Sequence, residues 1–127
     1  FSDRLMIFLF HLSFFLKNFK SKIDPKYMQN FYDYTFKQIE LDIREIGYGD
    51  QSVNKKMKTY INMLYSIIGK IDKWESYSNN DKVEIFNFYI EIKDNNQKFV
   101  DYFDKFYNYL SKKTLNSFTI SVIKHKF

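Results

Sequence analysis

The chain has 127 residues, a length at which a single hydrophobic core suffices. The absence of cysteine excludes disulfides, thiol catalysis and cysteine zinc sites, suits a reducing compartment and makes an extracellular role less expected. A net charge of +5 comes from eighteen lysines and two arginines against fifteen acids, but with no alanine and abundant Phe, Tyr, Ile and Asn this is also the pattern of AT-rich coding, so charge alone implies no nucleic acid.

Because the chain starts at Phe1, an N-terminal piece and any targeting segment in it are expected to lie outside it. The longest apolar stretch, Leu5 to Leu16, is interrupted by His11 and Ser13 and falls short of the roughly 20 residues that span a bilayer. Arg4, Lys17 and Lys20 flank it and would suit a membrane surface, although a core helix is the preferred reading.

The first helix is predicted from about Asp3 to Phe19, with Leu5, Phe8, Leu9, Leu12, Phe15, Leu16 and Phe19 on one face. Met6, Phe10 and Phe14 widen that stripe until most of the circumference is apolar. Such a helix is either central or offers a second apolar face. The Met6, Phe10 and Phe14 flank is expected to stay partly accessible to a partner or a membrane.

The second helix has the sharpest boundaries. Asp24 suits its N-cap, Pro25 its first position, and Gly47 the left-handed conformation that ends it. Met28, Tyr32, Thr35, Phe36, Ile39, Ile43 and Ile46 form the stripe expected to be buried, with Asp42 at its edge. A third helix is predicted from Ser52, a plausible N-cap, to about Trp74, with Met57, Tyr60, Ile61, Leu64, Ile68 and Ile71 inward.

Ser76 to Asp81 reads as a polar break. Two aromatic-rich segments follow, Val83 to Ile92 and Phe99 to Leu110, both read as helical with a kink or short turn at Asp94 to Asn96. The tail, Ser117 to Phe127, favours extended structure. The fold class is therefore all-α: one compact domain over 1–127, about five helices, and a short extended C-terminal tail.

Catalytic constellations are absent from the sequence. His11 and His125 lie far apart without a metal-ligand motif, and His11 reads as a core or helix-edge residue. Gly47-Tyr48-Gly49 follows a helix and not a strand, which removes a dinucleotide-binding loop. Acid pairs such as Glu40 and Glu45 read as solvated helix faces. Tyr and Phe interleave with Lys around Lys105 to Tyr109, but acids interleave equally and the aromatics recur at helical spacing, so core packing is preferred to base stacking. No enzyme, cofactor or metal is expected.

The densest local signal is the junction from Leu41 to Lys58, where an acidic helix end meets a basic helix start. Two of three glycines and one of two arginines fall there. In so lysine-biased a chain, Arg44 suggests a planar, multidentate donor. Arg44, Asp50, Lys55, Lys56 and Lys58 are the candidate recognition residues, with Asp42, Gly47, Gly49 and Ser52 shaping the turn; a plain helix hairpin explains the same residues equally well.

At these residues the sequence resembles the ubiquinol-cytochrome c chaperone family, in its bacterial branch. The likeness covers about Leu5 to Tyr77: the Leu-rich helix around His11, the segment from Phe31 to Phe36, and above all the run Arg-Glu-Ile-Gly-x-Gly-Asp-x-x-Val-x-Lys-x-Met-Lys from Arg44 to Lys58. Tyr48 departs from a smaller aliphatic and Asn54 from glycine. The resemblance implies a non-enzymatic helical chaperone on the cytoplasmic side of the bacterial inner membrane, or in the matrix of mitochondria. It also implies that newly made cytochrome b is the client during assembly of the respiratory complex. Mitochondrial relatives add a small partner protein and the ribosome; peripheral membrane contact fits, and DNA is not expected. The rival reading from the residues alone is an unrelated helical module that binds a membrane surface or nucleic acid.

Overall fold

The computed structural model describes residues 3–20, 22–47, 49–92 and 95–112. The expected extended tail, Ser117 to Phe127, lies outside them, as does Asp94 of the expected break. Five α-helices occur among the described residues: α1 (Asp3–Phe19), α2 (Pro25–Glu45), α3 (Asp50–Ile71), α4 (Asn79–Tyr89) and α5 (Gln97–Ser111). A 3-10 turn, Trp74–Ser76, follows α3. The all-α class is borne out. The central element is α1, packed between α3 and α5; α4 lies on α5 and α2 on α3.

Two polar groups are buried in α1, and each is satisfied. The Ser13 hydroxyl donates to Leu9 O at 2.7 Å. Asn18 Nδ2 donates to Leu110 O at 2.9 Å, a carbonyl in the last turn of α5. At the other end of α1 the Asp3 carboxylate accepts the backbone N–H groups of Glu91 and Ile92, at 2.9 and 3.2 Å. The first helix is thus fastened at both ends to the α4–α5 hairpin.

Met6, Phe10 and Phe14 correct the sequence reading. The flank expected to stay accessible is fully buried, because α4 and α5 supply a second aromatic wall against it. The Phe10 ring lies 4.6 Å from Phe86 and 5.7 Å from Phe103, and Phe14 stacks on Phe103 at 5.3 Å and meets Trp74 edge-on at 5.0 Å. Phe8, assigned to the core stripe, is instead 41% exposed. A helix apolar over most of its circumference does not specify which sector faces out; its neighbours decide.

The boundaries of α2 follow its sequence. Asp24 caps it, accepting from Lys26 N–H at 2.8 Å, Pro25 opens it, and Gly47 ends it at φ +104°. Only Phe36 and Ile43 of its stripe are fully buried, and Ile46 is 73% exposed, contrary to expectation. The third helix starts two residues before Ser52, with Gly49 as N-cap, so Ser52 stands inside the first turn. The supposed break at 76–81 contains a helix start: Ser78 Oγ accepts from Asp81 N–H at 3.2 Å and opens α4.

Candidate partner-binding surface

The turn between α2 and α3 carries an ion network built around Arg44. One guanidinium nitrogen bonds Asp50 at the start of α3, and the other reaches Glu40 Oε1 at 3.1 Å, one helical turn back on α2. Lys37 Nζ adds a contact to Glu40 Oε2 at 3.5 Å. The bonds to Asp50 and Glu40 hold the Arg44 pKa above its ordinary value, and the bond from Arg44 lowers that of Glu40. Asp50 also places negative charge at the N-terminus of α3, where the helix dipole favours it.

The expected cluster forms in part. Arg44 and Asp50 meet across the turn, while Lys55 is exposed further along α3 and Lys56 is half-buried. Lys58 lines a shallow groove of about 510 Å³ between α2 and α3, together with Glu40, Tyr32, Phe36 and Ile61. Gly49 caps α3, and Asp42 stands on the opposite side of α2 from this groove. Glu40 belongs to the network and is not the merely solvated acid expected from the sequence. Its Glu-to-Arg spacing of four residues was the signal.

A second groove, of about 530 Å³, opens on the Asp42 side, between the first half of α1, the last half of α2 and the middle of α3. Leu5, Phe8, Ile39, Ile43 and Ile46 line it with Tyr34 and Tyr60, and among the described residues Asp42 is its one charged lining residue. Tyr34 is 66% exposed beside the exposed Phe8 and Ile46. This is the accessible apolar surface that the sequence reading placed on the opposite flank of α1. Phe8 and Ile46 were missed because each continues an apolar helical stripe.

His11 is half-buried where α5 lies on α1. Its Nδ1–H donates to Ile7 O at 2.8 Å, so in the neutral ring Nε2 accepts from the Tyr102 hydroxyl at 2.6 Å. Burial lowers its pKa below the ordinary 6.5. Among the described residues no three His, Cys, Asp or Glu side chains gather as a metal site.

The profile of a family described as ubiquinol-cytochrome C chaperone matches residues 1–82. The chain belongs to the ubiquinol-cytochrome c chaperone family. No curated protein and no solved structure matches it. In this family member the matched span contains α1 to α3, the Arg44 network and the apolar groove beside it, whereas α5 lies beyond the match. No described helix is long and apolar enough to cross a membrane.

Proposed function

We propose that this protein is a non-enzymatic chaperone that holds newly synthesised cytochrome b during assembly of ubiquinol-cytochrome c reductase, on the cytoplasmic or matrix side of the membrane. Family membership supports the chaperone role in assembly of that complex. The observation that carries the client reading is the groove of Leu5, Phe8, Ile39, Ile43 and Ile46. It is apolar and open, and lies inside the span that matches the family. A transmembrane helix outside its bilayer presents a continuous apolar surface, and a helix laid in an apolar groove buries that surface. The Arg44 network stands at the end of α2 that contributes Ile43 and Ile46, where it holds the α2–α3 turn in register and offers a polar rim.

The test is co-purification from membranes, with cytochrome b recovery and melting temperature measured on the same variants. Phe8→Glu and Ile46→Glu place an unpaired charge in the groove and are expected to reduce recovery at least tenfold with melting temperature little changed. Arg44→Ala and Lys55→Glu are expected to weaken recovery by a smaller factor. Undiminished recovery from the groove variants would refute the assignment of the client surface.

A further inference from the structure

The lysines are not spread evenly over the fold. Lys17 Nζ donates to Asp72 O at 2.6 Å, and Lys22 Nζ contacts Ser111 O at 3.5 Å. The C-terminal ends of α1, α3 and α5 and the start of α2 therefore meet at one pole. Lys20, Lys26, Lys70, Lys73 and Lys112 are all exposed there. Three acids stand at this pole against these lysines: Glu75 pairs with Lys17 at 3.1 Å, Asp24 caps α2, and Asp72 lies at the end of α3. The result is a basic end, opposite the Arg44 junction.

An apolar groove of about 650 Å³ opens at the same pole, between the last turns of α1, the first turns of α2 and the last turns of α3. Leu16, Met28 and Ile68 line it, and its charged lining residues are Lys17, Lys20 and Asp72. Tyr32 and Tyr65 also line it: their rings stack at 6.4 Å with planes 28° apart, and the Tyr32 hydroxyl donates to that of Tyr65 at 3.4 Å. Tyr32 also lines the shallow groove beside Lys58, so the tyrosine pair is the wall between the two. Tyr27, 66% exposed in the first turn of α2, adds an aromatic ring to the pole.

We infer that this pole binds the surface of a bilayer containing anionic phospholipid, with lysines on the headgroups and one acyl chain entering the groove. The charge selects an anionic partner. The apolar interior selects an amphiphile, because a polynucleotide would neutralise the lysines and leave Leu16, Met28 and Ile68 facing water. A volume of this size is that of a small-ligand site. Tyr27 suits the headgroup layer, where amphipathic rings concentrate. The inference does not depend on the identity of the client, whose groove lies at the other end of α2.

The test uses the full chain and vesicles of phosphatidylcholine alone or of phosphatidylcholine and phosphatidylglycerol in a two-to-one ratio. Co-sedimentation is expected with the anionic vesicles only. Each lysine near such a surface contributes about fivefold in partitioning, so the neutralised triple variant K20Q/K26Q/K73Q should bind about a hundredfold more weakly, and the charge reversal K20E/K26E/K73E more weakly still. Both triple variants are checked for native circular dichroism. The chain lacks cysteine, so a single dye can be placed at Gln29→Cys on this groove or at Gln38→Cys on the client groove. Lipid carrying a nitroxide on its acyl chain should quench the Gln29 position and spare Gln38. Equal binding to neutral vesicles, binding unchanged by charge reversal, or quenching at Gln38 instead would overturn the inference. So would lysine-dependent binding of oligouridylate without binding of anionic vesicles.

Discussion

Replacing Phe10 by alanine strips the ring on which α1, α4 and α5 converge. Phe10 is fully buried, with Phe86 at 4.6 Å, Tyr89 at 5.6 Å and Phe103 at 5.7 Å. A buried Phe→Ala change costs about 3–5 kcal/mol from lost burial and the cavity left behind. An unfolding entropy of about 2.1 cal/mol/K per residue over roughly 110 residues turns a loss of ~4 kcal/mol into a drop in melting temperature of ~17 °C. Phe8→Ala is the control: two residues away and 41% exposed, it should cost well under half as much. Trp74, the sole tryptophan, meets Phe14 at 5.0 Å and Phe86 at 6.0 Å, so its fluorescence reports this same core during thermal or urea unfolding. A Phe10→Ala shift no larger than that of Phe8→Ala would refute the packing described here. Separate transitions by fluorescence and by circular dichroism would refute the single cooperative unit.

His11 is kept neutral by burial, so the native chain binds fewer protons than the unfolded one between its lowered pKa and 6.5. Its stabilising contribution is complete above pH 6.5 and is lost as pH falls through the native value; urea unfolding of His11→Gln should show a shallower decline across that window. Gly47 stands at φ +104° and Gly69 inside α3, neither with an atom within 4 Å of an added Cβ, so the backbone alone separates them. Gly47→Ala should destabilise by about 1 kcal/mol and Gly69→Ala should stabilise by about the same amount, both read from denaturant midpoints. Asp24→Ala removes the cap of α2 and should cost about 1 kcal/mol, with faster amide exchange confined to the first turn of that helix.

Local signals were read correctly where the interaction they encode is itself local. The span of α1 and the cap, opening and end of α2 follow from residues no more than four apart in sequence, and backbone bonding within one turn satisfies them. The start of α4 was missed although its signal is just as local: Ser78 caps through Asp81 N–H, but a run of Ser, Asn and Asp was read as a break. The start of α3 was placed late because Ser52 is the better cap by residue type, whereas the chain leaves the Gly47 turn already extended at Gly49.

By itself the sequence determined the helical class, the bounds of the first two helices and the run from Arg44 to Lys58 that carries the family resemblance. The tertiary structure decided which sector of α1 is buried. That depends on Phe86, Phe103 and Trp74, more than 50 residues away in the chain, and no periodicity within a helix apolar over most of its circumference encodes it. It also decided that the exposed apolar groove lies beside Asp42 and that the lysine ends of α1, α3 and α5 share a pole with a second groove. A hydrogen-bonded helical turn is specified by its own few residues, whereas a surface is what remains after distant elements have packed.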